Sequence, residues 1–367
     1  MYDVVVAFRV AFDGRAFSSP AGGVRRYVTE LVTAIGRVDP AIDLVAVGAS
    51  TETQLPANVG RVPAAWSAPT NLGWAATGLP IALRRTAFDV FHAPAYTAPL
   101  WGVAPLVVTI HDVSYARRPE WYPHASDPTR RAFYRASARR ATRIITDSRF
   151  SQTEIVAAYR IAADRIDVVP LAAGAIFTAD SAIPREPIVL HVGDLHPRRN
   201  LAVVLDAVIE LRRSIDTCRD LRFVVAGVDR GSLAPLEQRA HDSGARDALL
   251  YAGCPDDAEL CRWYRRASVF AYPSRYEGFG LPVLEAMACG APVVASSSAS
   301  VPEVVGEAGP CLDPDDGRGW REAIAGLLSN PERARDASAR SLARAALFSW
   351  DRTARETLAV YRRVRGS

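Results

Sequence analysis

The 367-residue chain contains no lysine: all 44 of its strongly basic residues are arginine. A Walker A loop relies on a lysine ammonium at the phosphates, and Schiff-base or pyridoxal phosphate chemistry needs an amine that a guanidinium cannot supply. Those enzyme classes are excluded. Cysteine is sparse, and Cys218, Cys254, Cys261, Cys289 and Cys311 show neither a CxxC pair nor metal-finger spacing. Buried thiols therefore outrank a disulfide framework or a zinc site. No stretch approaches the roughly 18 to 20 apolar residues that a membrane-spanning helix requires. The opening "MYDVVVAFRV" reads as a first strand, because a secretory signal needs a basic start, a longer apolar run and a small-residue cleavage site. A cytoplasmic protein is the expectation.

Charge is unevenly shared. Residues 1–180 hold 19 Arg against 15 Asp plus Glu, whereas residues 181–367 balance at 25 and 25, so the net +4 belongs to the first half. Between Arg117 and Arg143, eight arginines face only Glu120 and Asp127. A solvated helix face explains this, and so does contact with phosphate or an anionic membrane surface. Nucleic acid is disfavoured, since no binding motif accompanies the basic residues.

Short β-branched runs alternate with helical stretches. "YDVVVAFRV", "IDLVAVGA", "FDVFHA", "PLVVTIHDV", "TRIITDS" and "RIDVVPLA" form one series, and "PIVLHVGD", "LRFVVAGV", "LLYAGC", "ASVFAYPS" and "APVVASS" form a second. Such alternation predicts an α/β chain with two parallel, doubly wound Rossmann-like sheets. Between the series lies "GAIFTADSAIPREP", a weakly periodic stretch that reads as a linker. The predicted domains are 1–182, 183–348 and a final helix, 349–367, that packs back on the first domain. Function in this class of fold sits in the loops at the carboxyl ends of the strands, here facing a central cleft.

Four such loops carry candidate chemistry. Gly22 and Gly23 in "SSPAGGVRRYV" let backbone N–H groups approach an anion at a helix N-terminus, although a Gly pair also serves a plain turn. His111 and Asp112 in "TIHDVSY" stand at the end of an apolar strand, where an imidazole can meet a substrate hydroxyl or a developing charge. His92, His124, His191 and His241 read as structural. Arg198 and Arg199 in "HVGDLHPRRNL" add fixed charge beside a helix start, which suits a diphosphate.

The fourth loop is "SRYEGFGLPVLEAM", with Glu277 and Glu285 on either side of Gly278, Phe279, Gly280 and Leu281. Pro282 suits a first helical turn, which leaves Glu285 about one turn inside the helix and Glu277 ahead of it. A phosphate fits the N–H groups of Phe279, Gly280 and Leu281 and is repelled by both carboxylates. Each glutamate is therefore predicted to hold neutral hydroxyls beside the phosphate, the pattern of a nucleotide sugar.

These residues resemble the E-x7-E signature of the retaining GT-B glycosyltransferases of family GT4. The likeness extends in order through "GGVRRYV", "FHAP", "TIHDVSY", "PEWYP", "ITDSRFSQTEI", "GDLHPRRNL" and "FSWDRTARETLAVY". The resemblance implies that Glu277 binds the donor hexose, Glu285 the ribose, and the Gly278–Leu281 backbone the sugar and phosphate. It further implies that Arg198 and Arg199 neutralise the diphosphate, that His111 approaches the donor sugar, and that Gly22 and Gly23 face phosphate or acceptor. No cofactor and no metal are expected, and "DPDD" at 313–316 reads as a turn. Arg199 stands where the family usually has lysine and His196 where it commonly has glutamate. The chain looks most like the branch that uses GDP-mannose for surface polysaccharide or glycolipid assembly. UDP-glucose, UDP-N-acetylglucosamine or a deoxyhexose donor are alternatives, as is an inactive GT-B scaffold acting in binding or assembly.

Overall fold

A computed structural model of the chain describes residues 8–64, 66, 68–122 and 127–366. The described residues form two compact units, one of Met1–Leu171 with Ser349–Ser367 and one of Ala172–Phe348.

In the first unit seven strands lie in the order β3-β2-β1-β4-β5-β6-β7. They are β1 (Arg9–Asp13), β2 (Asp43–Val47), β3 (Val59–Val62), β4 (Val90–Ala93), β5 (Leu106–Thr109), β6 (Arg143–Thr146) and β7 (Ile166–Val168). Every pairing is parallel. The central strands are buried on both faces, which is why they read as continuous Val, Ile and Leu runs rather than alternating ones. The part of the first predicted strand before residue 8 lies outside the described residues, as does His124. β3 escapes the sequence pattern because "VGRV" exposes Gly60 and Arg61 at the sheet edge.

The second unit holds six parallel strands in the order β10-β9-β8-β11-β12-β13. They are β8 (Glu186–Val192), β9 (Arg222–Ala226), β10 (Leu249–Tyr251), β11 (Ala267–Tyr272), β12 (Val293–Ser296) and β13 (Cys311–Leu312). Both sheets reverse their strand order beside the first strand of each unit, the position where such folds collect ligands. The division between the units falls at residue 171 rather than 182. The stretch read as a linker is fastened to the second unit: Phe177 packs edge-on against Tyr264 at 5.7 Å and the Arg265 guanidinium donates to Thr178.

The C-terminal helix Trp350–Arg365 starts on Ser349, whose hydroxyl caps the Arg352 N–H, and buries Thr357, Leu358, Val360 and Tyr361 in the first unit. Its Tyr361 hydroxyl lies 2.5 Å from His92 Nδ1, and His92 Nε2 lies 2.7 Å from Thr109 Oγ1. Thr109 in turn meets the Tyr27 hydroxyl at 2.9 Å, so a continuous polar chain ties the last helix to β4, β5 and the Gly22–Val38 helix. Burial, with a smaller contribution from His111, pushes the His92 pKa down to about 3. Burial and the nearby Arg199 charge do the same to His191.

Both imidazoles are therefore neutral in the folded state, while the unfolded chain binds protons at them below its ordinary histidine pKa. Stability is fully present above about pH 6.5 and is lost as pH falls toward 3, each group adding a slope of up to about 1.4 kcal/mol per pH unit. The urea midpoint is expected to drop between about pH 7 and about pH 5. A midpoint that stays level over that interval contradicts the neutral assignment.

Candidate functional site

The site residues of the second unit gather at the carboxyl ends of β8, β11 and β12. After β8 the chain turns at Gly193, whose φ of +139° is a backbone conformation that residues with a side chain rarely adopt, and which lies against the Arg199 guanidinium. Arg198 and Arg199 then fall in a single 3-10 turn, Pro197–Arg199, and the helix proper begins at Ala202. The Arg275 N–H donates to the Arg198 carbonyl at 2.9 Å, which pins this turn to the loop after β11.

Arg199 points inward. Its guanidinium is buried, forms an ion pair with Glu277, and donates to the Tyr272 hydroxyl at 2.5 Å. Burial lowers its pKa, opposed by Tyr272. Removing two such charges from water costs several kcal/mol each, and the pair persists because each partner answers the other. A guanidinium at this position places a planar donor against a carboxylate, geometry that an ammonium reproduces poorly. Arg198 is half-buried.

Glu277 also accepts from the Ser274 hydroxyl at 2.5 Å, and the Ser300 hydroxyl lies 2.9 and 3.0 Å from the carbonyls of Glu277 and Phe279. The helix Leu281–Ala288 follows, with Pro282 in its first turn and Gly280 at φ +107° as its cap. No side chain caps this helix. Among the described residues nothing accepts from the N–H groups of Phe279, Gly280 and Leu281, so they form a ready anion site at the positive helix end. Glu285 is 2% exposed and accepts from the Tyr264 hydroxyl at 3.0 Å, so it is no surface residue.

In the first unit His111 sits two residues beyond β5, and its Nδ1–H donates to Asp147 at 2.7 Å. Tyr27 stands edge-on to the imidazole at 4.8 Å. Burial opposes the imidazolium, but Asp147 outweighs it through charge and hydrogen bond, helped by Asp112 and the Pro94 carbonyl, and the pKa is raised. Asp147 fixes the tautomer so that Nε2 is turned away from it. Gly22 and Gly23 open the helix Gly22–Val38 in exposed positions with no side-chain cap, and a methyl group on either meets no atom within 4 Å. Both are free to let a ligand approach the backbone without serving any internal contact. Among the described residues no cluster of His, Cys, Asp or Glu could hold a metal ion.

The strand ends thus bring Arg198, Arg199, Glu277, the Gly278–Leu281 backbone and Glu285 together in the second unit. His111, Gly22 and Gly23 belong to the first. Sequence reasoning missed Asp147, Ser274 and Ser300. Asp147 was detectable in principle, since "ITDS" gives it the same address at the end of β6 that singled out His111.

Comparisons with known proteins identify the family and the fold. The profile described as "Glycosyltransferase Family 4" matches residues 21–172, and that described as "Glycosyl transferases group 1" matches residues 186–330. The O-antigen chain mannosyltransferase B of Escherichia coli is 33% identical over 77% of this chain and 76% of its own. The chain belongs to glycosyltransferase family 4. A second relative, the MMP alpha-(1->4)-mannosyltransferase of Mycolicibacterium hassiacum, is 30% identical over 77% of this chain and 72% of its own. The sucrose-phosphate synthase of Thermosynechococcus elongatus superposes with a TM-score of 0.78 at 20% identity, covering 97% of this chain and 98% of its own. WaaG, a glycosyltransferase involved in lipopolysaccharide biosynthesis, superposes at 0.74 with 16% identity, covering 96% and 99%. The fold is therefore GT-B.

Two outcomes follow for this glycosyltransferase. Asp147→Asn removes the charge that raises the His111 pKa, so the His111 resonance in an NMR titration is expected to shift its midpoint to lower pH. An unmoved midpoint denies the coupling. Glu277→Gln strands the buried Arg199 cation at a cost of about 3 to 5 kcal/mol, whereas the double variant Arg199→Met with Glu277→Gln recovers most of that stability. Urea denaturation of the two variants side by side checks this, and equal losses in both refute it.

Proposed function

We propose that this glycosyltransferase moves mannose from GDP-mannose, with retention of configuration, onto a hydroxyl of a glycan or glycolipid. The observation that carries the reading is the row of unanswered N–H groups from Phe279 to Leu281, bracketed by Glu277 and Glu285. A helix terminus of this kind holds a phosphate oxygen, and the two carboxylates accept from hydroxyls on either side of it. The mannosyl assignment is supported by the relatives from Escherichia coli and Mycolicibacterium hassiacum, both mannosyltransferases.

In this reading Arg198 faces the departing diphosphate. Arg199 holds Glu277 in place for the hexose hydroxyls, and Glu285 serves the ribose. Negative charge grows on the diphosphate as the bond from the anomeric carbon to the phosphate oxygen stretches, and the Gly278–Leu281 dipoles and Arg198 stabilise it without reorganising. The acceptor hydroxyl then forms the new bond on the face being vacated, and its proton passes to the leaving phosphate oxygen. His111, kept protonated by Asp147 to higher pH than an ordinary histidine, binds hydroxyls of the donor sugar. No metal enters this scheme, because guanidinium and backbone dipoles carry the charge.

A nucleotide-sugar donor fits a cytoplasmic site of action, and contact with an anionic membrane would run through the exposed Arg131, Arg139 and Arg140. Many neighbouring arginines are engaged locally: Arg117 with Glu154, Arg130 with Asp127 and Arg143 with Asp167. Among the described residues no helix is long and apolar enough to cross a membrane.

The test is release of free nucleotide from a panel of GDP and UDP sugars, with and without EDTA. Slow GDP release from GDP-mannose that survives EDTA is the expected result. Release of UDP instead replaces the donor assignment, loss of activity with EDTA overturns the metal-free scheme, and absence of both binding and release overturns the catalytic reading.

A further inference from the structure

The first unit carries a groove that the donor chemistry leaves unused. A cavity of about 630 Å³ lies at the carboxyl ends of β1, β2 and β4, and it adjoins a second cavity of about 450 Å³. Both are lined by Ser19, Pro20, Val24, Asn71, Ala95 and Thr97, so they are two parts of one trough. Each is within the size range of small-molecule sites, roughly 300 to 1,000 Å³.

The two parts differ in chemistry. The first is walled by hydrogen-bonding groups, with Asp13, Ser18, Ser50 and Thr51 added to the shared residues. Asp13 is 8% exposed, and a single carboxylate oxygen, Oδ1, accepts from both the Trp74 indole at 3.0 Å and the Arg15 N–H at 3.1 Å. Its Oδ2 takes no hydrogen bond among the described residues. The Asp13 carboxylate, with one oxygen fixed and the other on a cavity wall that it shares with the Arg15 charge, can accept from a ligand hydroxyl. Pro94, whose carbonyl helps raise the His111 pKa, lines the same cavity and marks it as the end nearer to that imidazole.

The second part adds the rings of Tyr96 and Tyr134, 5.6 Å apart, and Tyr115 stands edge-on to Tyr134 at 4.7 Å. This is an aromatic platform braced from behind, of the kind on which the C–H face of a pyranose stacks. Arg130 also lines it, but its charge is answered by Asp127 at 3.5 Å, so the platform does not ask for an anion.

We propose that the acceptor is a neutral glycan chain of at least two sugar residues, its terminal residue held by Asp13 and the next residue stacked on Tyr96 and Tyr134. A single sugar fills the polar end and leaves the aromatic end empty, whereas a chain occupies both. The proposal rests on the chain acting as a glycosyltransferase whose first unit binds the acceptor.

The experiment is calorimetric titration of the full chain, with GDP or UDP present, using methyl glycosides of mannose, glucose and galactose and the matching di- and trisaccharides. The disaccharide of the preferred sugar is expected to bind about fivefold more tightly than its methyl glycoside, the worth of one aromatic contact. Tyr134→Ala removes that gain, Tyr134→Phe keeps it, and Asp13→Asn weakens every length alike. Equal affinity at all lengths, a gain that survives Tyr134→Ala, or no binding by any saccharide overturns the proposal. Nucleotide release measured in parallel separates the two readings. Length-dependent binding without turnover of any donor upholds the groove and removes the reaction, whereas turnover without length dependence removes the groove alone.

Discussion

The buried ion pair between Arg199 and Glu277 is the constraint around which the second unit is arranged. A guanidinium and a carboxylate so far from water are tolerable only as a pair, so two stretches of chain, the turn after β8 and the end of β11 with the segment that follows it, must meet to make it. The turn after β8 delivers Arg199, the end of β11 supplies the Tyr272 hydroxyl, and the segment before the Leu281–Ala288 helix brings Glu277. His191 stacks on Tyr272 at 5.4 Å and stays neutral because of burial and of the Arg199 charge. Ser274 and Ser300 then hold the Glu277 loop by its side chain and its carbonyls. The N–H groups of Phe279 to Leu281, which meet no acceptor among the described residues, inherit their position from this lock.

The first unit obeys a different rule. Its His111 imidazole is tuned chiefly by Asp147, with Asp112 assisting, and shares a neighbourhood with a neutral histidine, His92, that differs in its partners. Two histidines at the ends of adjacent strands thus take opposite protonation behaviour. The one facing a carboxylate keeps its proton, and the one between a tyrosine and a threonine gives it up. This is the division that lets one imidazole meet a polar ligand while the other serves as a structural hydrogen-bond hub.

Much of this was legible in the residues. Parallel sheets buried on both faces write themselves as long β-branched runs, and all such runs became strands apart from the part before residue 8, which lies outside the described residues. The edge strands β3 and β13 were hidden, because an edge strand with Gly60 and Arg61 or with only two residues leaves no pattern. The addresses of His111, Arg198 and Glu277 at strand ends could be read, and so could the place of Pro282 in the first helical turn. The inward turn of Arg199 could not, since a pair of adjacent arginines looks the same whether it faces solvent or a carboxylate 78 positions later. The anchoring of the linker stretch was hidden for a related reason: "GAIFTADS" has no period, yet Phe177 packs on Tyr264 and Thr178 accepts from Arg265.

The polar chain from Tyr361 through His92 and Thr109 to Tyr27 has a bearing on how the molecule is made. Its members come from positions 27, 92, 109 and 361 of a chain synthesised in that order. On a ribosome the whole of Ala172–Phe348 emerges before Tyr361 does, and a compact unit can form as soon as its residues are out. His92 therefore gains its Tyr361 partner only after the whole of Ala172–Phe348 has been made, so the polar chain of the first unit cannot close before the residues of the second have emerged.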